Sequence, residues 1–130
     1  MYHKKVLEEF LHPQNVGEIR KASARVEVED ENCGSVIKLY LQIENDVITD
    51  AKFKAFGCPV TIAACSIATK IIIGESIKEV EEFRFEQILV ELVSVPEFKI
   101  ECVKVVVKTI KEALTYYYNK QEKLLKQKNK

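Results

Sequence analysis

The chain has 130 residues, of which 47% are hydrophobic and 31% are charged, with 20 basic and 20 acidic side chains. This length and composition predict one folded domain and exclude a disordered chain. The balanced charge gives no overall attraction to nucleic acid, and no apolar run reaches membrane-spanning length. We therefore expect no nucleic-acid partner, no membrane partner, and a cytoplasmic location in which thiols stay reduced.

Hydrophobic spacing predicts a helix at the start of the chain, followed by three strands. Four apolar residues recur at helical spacing within residues 1–11, and a stretch containing proline and glycine ends that helix. Alternating patterns predict strands over residues 24–30, 36–44 and 47–55. The sequence Glu-Asn-Asp at residues 44–46 indicates a tight turn, so the second and third strands should form an antiparallel hairpin.

The second half of the chain has the pattern of helices. Gly57-Cys58-Pro59 interrupts the strand pattern and opens a largely buried helix over residues 60–73, with Gly74 as its C-terminal cap. Ser76 and Glu79 have the spacing of a capping box at the start of a short helix. Another helix is expected over residues 85–93.

The last predicted helix begins at Glu101, and its apolar stripe fades beyond Tyr118. Residues 120–130 carry five lysines and one glutamate. We therefore divide the chain into a folded domain over residues 1–118 and a basic tail over residues 119–130, which we expect to be a frayed helix or disordered.

Three of the four cysteines lie at the starts of different predicted elements. Cys33 precedes a strand, Cys58 precedes the buried helix, and Cys102 lies in the first turn of the last helix. Thiolates from distant segments can together hold a soft metal ion or an iron–sulfur cluster. A helix N-terminus stabilises a thiolate, so we expect this at Cys58 and at Cys102, where Lys99 adds positive charge. The opposing interpretation is that these cysteines are small core residues and that Lys99 is an ordinary surface lysine.

Two further side chains are candidates for the same site. Glu101 would offer a hard oxygen ligand beside Cys102. Cys65 lies seven residues after Cys58, about 10 Å along the helix axis, which is long for one metal centre. Because Cys65 stands among alanines and isoleucine, a core position is favoured over a role as ligand.

Six stretches of the sequence carry a family resemblance: Leu11–Gly17, Asn32–Gly34, Phe53–Cys58, Thr61–Ser66, Gly74–Ile77 and Lys99–Cys102. Together they resemble the IscU/NifU-type iron–sulfur cluster assembly scaffolds over almost the whole chain. The resemblance implies an α+β fold with a three-stranded antiparallel sheet packed against several helices. It also implies a scaffold that carries a site, rather than an enzyme with a substrate cleft.

The resemblance also implies a cofactor and partners. Cys33, Cys58 and Cys102 would hold a nascent [2Fe–2S] cluster, built from iron and sulfide, for delivery to recipient apo-proteins. The sulfur would come from a cysteine desulfurase, and Cys102 matches the family cysteine that usually accepts persulfide sulfur. An exposed cluster of this kind is compatible with a homodimer formed on cluster binding.

The chain departs from the family at several places, one of which is Cys65, an extra thiol where a small residue such as serine or alanine is common. Family members usually have aspartate where Ser35 stands and histidine where Glu101 stands, so the fourth ligand is open. Glu101 is our first choice for that ligand, and a ligand from a second subunit is the alternative. The usual chaperone-recognition motif is altered over residues 95–99, which argues against a dedicated chaperone partner.

Two other functions fit the same cysteines. One is a zinc-binding sulfur acceptor for a cysteine desulfurase, with Zn²⁺ in place of the cluster. The other is a non-catalytic adaptor with a degenerate site. The zinc-dependent relatives carry an insertion between their second and third ligand cysteines, and no inserted segment is evident between Cys58 and Cys102. The sequence therefore favours the cluster scaffold.

Overall fold

The computed structural model describes residues 2–128, and within them the chain is a three-stranded sheet covered by helices. The elements are α1 (Lys4–Leu11), β1 (Ala24–Asp30), β2 (Ser35–Glu44), β3 (Val47–Phe56), α2 (Pro59–Ile72), α3 (Ile77–Glu81), α4 (Phe85–Leu92) and α5 (Ile100–Lys128). A short 3-10 helix, Glu97–Lys99, leads into α5. The α+β class and the antiparallel sheet are confirmed. Met1, which the sequence placed in the first helix, lies outside the described residues.

The sheet is a meander in which β2 pairs with both of its neighbours in antiparallel orientation. Asn45 and Asp46 connect β2 to β3 with φ values of 53° and 60°, the left-handed conformation that a two-residue hairpin turn requires. The pairing brings Val36 opposite Phe56. The start of β2 and the end of β3 therefore lie at the same edge of the sheet.

The core lies between one face of the sheet and two helices, α2 and α5. The inward residues of β2 include Leu39, Leu41 and Ile43, which the alternating pattern of the sequence predicts on one face, and also Ile37. Helix α2 is buried over most of its length, since ten of its side chains are shielded from solvent. A helix that is apolar on nearly every side must lie between other elements, as α2 lies between the sheet, α1 and α5.

The ends of α2 and α3 follow the sequence signals. Pro59 occupies the first turn of α2, where its missing N–H costs nothing, and Gly74 follows that helix with φ of 93°. Ser76 and Glu79 form the predicted capping box at the start of α3.

Helix α5 is longer than its apolar stripe. Its buried residues extend to Leu114, and beyond Tyr117 the described side chains are exposed. Tyr118 donates a hydrogen bond to the Glu81 carboxylate, which attaches this part of α5 to the end of α3. Residues 119–128 continue as helix, whereas residues 129–130 of the predicted tail lie outside the described residues. The proposed boundary at residue 118 stays a prediction. Between residues 2 and 128, no helix is both long and apolar enough to cross a bilayer.

A buried carboxylate attaches α1 to α2. Glu9 is 6% exposed. Its two oxygens accept hydrogen bonds from Ser66 Oγ at 2.6 Å and from Lys70 Nζ at 2.5 Å, and Lys5 Nζ lies 3.8 Å away. Burial raises the pKa of Glu9, but the bonds from Lys70 and Ser66 and the charges of Lys70 and Lys5 outweigh it and lower the pKa below 4.5.

We predict that Glu9→Gln lowers the free energy of unfolding by about 2 kcal/mol near neutral pH, because a charge-assisted network is replaced by a poorly matched amide. Urea unfolding followed by circular dichroism measures this. Glu8→Gln is the matched control on the same helix, since Glu8 is exposed and 4.0 Å from Lys4. It should cost less than about 0.5 kcal/mol. Equal losses in the two variants would contradict the structural role of Glu9.

The same contact sets the direction of a pH effect. Because the pKa of Glu9 is lower in the folded chain than in the unfolded chain, the unfolded state takes up the proton first as the pH falls. The stabilisation is therefore complete above the unfolded pKa and is lost as the pH falls through the folded pKa. The difference in unfolding free energy between the wild-type chain and Glu9→Gln should therefore shrink as the pH falls below the ordinary pKa of a glutamate.

Candidate functional site

The fold brings the three cysteine segments to one edge of the sheet. Cys33 precedes β2, Cys58 follows β3 and caps α2, and Cys102 lies in the first turn of α5. The Sγ atoms of Cys58 and Cys102 are 3.6 Å apart, although the residues are far apart in sequence. Antiparallel pairing of β2 with β3 accounts for the approach of Cys33 and Cys58, and packing of α5 against α2 and the sheet adds Cys102.

Two buried hydroxyls connect Cys33 to the other thiols. The Cys33 thiol donates to Ser35 Oγ at 3.1 Å, and Ser35 Oγ lies 2.9 Å from Thr61 Oγ1. Thr61 Oγ1 lies 3.6 Å from Cys58 Sγ. Ser35 is 1% exposed and Thr61 is fully buried. The contacts thus form a continuous row from Cys33 through two hydroxyls to Cys58 and Cys102.

The thiols adjoin one another without forming a finished metal site. Within residues 2–128, no three cysteine, histidine, aspartate or glutamate side chains have the arrangement that holds a metal ion. Cys58 and Cys102 are in direct contact, whereas Cys33 reaches them through hydroxyls. Three thiolates on one metal or cluster would therefore require a rearrangement at this edge of the sheet.

Gly57 provides the space for this row of contacts. A Cβ atom at residue 57 would lie 2.9 Å from Ser35 Oγ, 3.0 Å from Thr61 Oγ1 and 3.1 Å from Thr61 Cβ. These distances are too short for ordinary packing, so any side chain at this position would force the two hydroxyls to shift. The glycine is needed for close approach of the β3–α2 connection.

The adjacent thiols have opposite acidities. Burial raises the pKa of Cys58, but hydrogen bonds from Thr61, Cys102 and the N–H of Val60 outweigh it and lower the pKa below its ordinary value. Burial of Cys102, 1% exposed, together with the neighbouring Cys58 sulfur, raises its pKa to about 12. The expectation that the helix N-terminus favours a thiolate holds for Cys58. It is wrong for Cys102, because desolvation prevails there.

The three other residues that the sequence predicts for this site are Glu101, Lys99 and Cys65, and each has its own surroundings. Glu101 is exposed, and its Oε1 is 3.5 Å from Lys104 Nζ. Lys99 lies beside Phe98, with its Nζ 5.8 Å from the ring centre. Cys65 is 2% exposed in the core, where complete burial raises its pKa. None of the hydrogen bonds among the described residues joins Glu101, Lys99 or Cys65 to the thiols at the edge of the sheet.

Sequence reasoning missed one contributor, Thr61. Its position three residues after Cys58 is the available signal, because a side chain in the first turn of a helix can turn back towards the capping residue. The sequence singles out Ser35 only as a serine where family members usually have aspartate. Its contact with Thr61 depends on the pairing of β2 with β3, which the local sequence does not reveal.

The family model for the NifU-like N-terminal domain matches residues 1–124. The chain belongs to this family. It is similar to the iron–sulfur cluster assembly scaffold protein IscU of Rickettsia prowazekii, with 38% identity over 125 residues, 93% of this chain and 95% of that protein. It is also similar to a Drosophila melanogaster protein named iron–sulfur cluster assembly enzyme IscU, with 39% identity over 127 residues, 95% of this chain and 82% of that protein.

A solved structure agrees with the fold of this NifU-like domain. The crystal structure of the N-terminal part of a NifU-like protein from Brucella abortus superposes with a TM-score of 0.76. It covers 91% of this chain and 94% of that chain at 19% identity. The architecture is therefore retained even where few residues are identical.

We predict that iodoacetamide modifies Cys58 before Cys102 in the folded NifU-like domain. Cys58 is half-buried with a lowered pKa, and Cys102 is buried with a raised one. At about pH 8, Cys102 should react at least about tenfold more slowly, because the thiolate is the reactive form. Mass spectrometry of peptides from quenched samples measures both rates. In denaturant the two cysteines should react alike, and equal rates in the folded chain would contradict the assigned acidities.

Proposed function

We propose that this chain is a scaffold on which an iron–sulfur cluster is assembled before transfer to recipient apo-proteins. The observation that carries the proposal is the convergence of Cys33, Cys58 and Cys102 at one edge of the sheet in a member of the NifU-like family. The printed names of its relatives support the assembly role. We place the chain among scaffolds rather than enzymes, because the proposed chemistry is the binding and release of cargo.

The cluster, for which we propose the [2Fe–2S] type, is the cargo of this site. Cys33, Cys58 and Cys102 are the proposed thiolate ligands, since soft sulfur donors suit iron–sulfur clusters. Cys65 is excluded from our ligand set because it is enclosed in the core. Thiolates that come from separate elements and need rearrangement to converge suit a site that must both bind and release.

Sulfur delivery is the second part of the proposal. A cysteine desulfurase would supply the sulfur as a persulfide on its own cysteine. The Cys102 thiolate would attack the outer sulfur of that persulfide, so that a new S–S bond forms at Cys102 while the enzyme's S–S bond breaks and its cysteine leaves as a thiolate. The burial of Cys102 means that acceptance requires the start of α5 to move outwards. The 3-10 turn over Glu97–Lys99 immediately precedes this position, and Lys99 would contribute positive charge as the thiolate forms.

We predict that anaerobic reconstitution with ferrous iron and sulfide gives a coloured protein with matched iron and acid-labile sulfide. Serine at residue 33, 58 or 102, introduced singly, should lower bound cluster roughly tenfold, because each change removes a ligand. The visible spectrum and both analyses measure the result. Cys65→Ser is the matched control and should retain the cluster if it folds, which circular dichroism verifies.

Two outcomes would redirect this proposal. A colourless wild-type chain that retains one Zn²⁺ through the same cysteines would indicate the zinc-binding sulfur acceptor. A chain that binds neither would indicate an adaptor with a degenerate site. Size-exclusion chromatography of the reconstituted sample tests the homodimer that an exposed cluster would favour.

We predict that Glu101→Ala shortens the lifetime of the reconstituted cluster by roughly threefold or more, because a fourth ligand is lost. Decay of the visible absorption in the presence of a chelator measures the lifetime. Glu101 would have to leave its ion pair with Lys104 to reach the iron. Glu112→Ala, an exposed change on the same helix, is the control. Equal decay in the two variants would remove Glu101 from the ligand set and favour a ligand from a second subunit.

A further inference from the structure

The two buried hydroxyls between the thiols can donate only two hydrogen bonds in total, because each hydroxyl has one proton. Ser35 and Thr61 each carry a single O–H, and their oxygens are 2.9 Å apart with either one able to donate. One of the two protons must lie between the oxygens to make that bond. Only the other proton can point outwards. While Cys33 keeps its proton and donates to Ser35 Oγ, the outward proton can reach only Cys58 Sγ through Thr61. Once Cys33 has lost its proton, Ser35 can donate to Cys33 Sγ instead.

The surroundings hold this pair in place. Both side chains are enclosed, and within the described part of the chain no buried side-chain nitrogen or oxygen lacks a partner. A Cβ atom at residue 57 would clash with both oxygens, so the glycine keeps the space beside them free of a side chain. Water therefore does not compete for the outward proton. The acceptors that remain for this proton are the sulfurs of Cys33 and Cys58.

We propose that Ser35 and Thr61 together act as a single, shared hydrogen-bond donor to the cysteine sulfurs that would hold the cluster. Thr61 is a positioning residue and takes no part in sulfur transfer itself. This inference rests on the proposed function, since sulfurs bound to iron have no proton and can only accept. The pair donates to Cys33 or to Cys58 at any moment. The inner O–H polarises the outer one, so the single outward bond is strengthened.

The shared donor has an electrostatic consequence for a bound cluster. A hydrogen bond to a ligand sulfur compensates negative charge and favours the reduced cluster, which raises the reduction potential. If the outward bond is shared, removing one hydroxyl leaves the other free to donate to its own sulfur. Removing both hydroxyls leaves neither sulfur with this donor.

The test compares midpoint potentials of reconstituted clusters in Thr61→Val, Ser35→Ala and the double variant. Each single change should lower the potential slightly, and the double change should lower it by more than the sum of the two single shifts. Resonance Raman spectra in H₂O and D₂O give a second measurement that needs no reduction. The deuterium shift of the iron–cysteine stretching bands should persist in each single variant and decrease strongly in the double variant.

Two controls separate this role from simple packing. Thr109→Val removes another buried hydroxyl, one that donates to the Val105 carbonyl and forms no hydrogen bond with Cys33, Cys58 or Cys102, so the potential should stay at the wild-type value. Thr61→Ser retains the hydroxyl and should also keep the wild-type potential. Thermal unfolding of every variant verifies that each one is folded.

The outcomes are distinct. A double shift equal to or smaller than the sum of the single shifts overturns the shared donor, and so does a double variant that matches Thr109→Val. Either result leaves the scaffold proposal standing, because the cluster has still formed. Failure of the wild-type chain to form any cluster refutes the scaffold proposal and the shared donor with it.

Discussion

The candidate site depends above all on the register of β2 against β3. Pairing of Val36 with Phe56 places Cys33 and Cys58 at the same edge. The two-residue turn at Asn45 and Asp46, together with the one-residue register shift between Gln42 and Ile43, sets that pairing. A slip by one residue would turn Ser35 away from Thr61 and would also expose the inward face of β2. The same hydrophobic pattern that builds the core therefore holds the site in position.

The two adjacent thiols of the site, Cys58 and Cys102, differ in acidity because they differ in burial. Cys58 is half-buried at a helix N-terminus where N–H and O–H groups converge, whereas Cys102 is buried. Neutral hydroxyls rather than a carboxylate lie between the thiols. The carboxylate of Asp30 lies at the Cys33 end of this row, where it accepts a hydrogen bond from the Cys33 N–H at 3.0 Å.

The sequence alone predicts much of this structure, and its failures have physical causes. Period-two and helical patterns predict the three strands and α2, and local chemistry predicts the hairpin turn and the capping box, because these signals lie within a few residues. The burial of Cys102 and the role of Thr61 arise from packing between elements distant in sequence, which no local pattern encodes. Helical structure as far as Lys128 shows that a fading apolar stripe does not by itself end a helix.

The length of α5 gives the molecule two well-separated ends. Its 29 residues span about 43 Å, and Lys126 lies about 36 Å along the axis from Cys102. The exposed last turns contribute nothing to the enclosure of the thiols. The chain can therefore be tethered to a sensor surface or fused to a reporter through its C-terminal helix, with the cysteine edge left open to the solution.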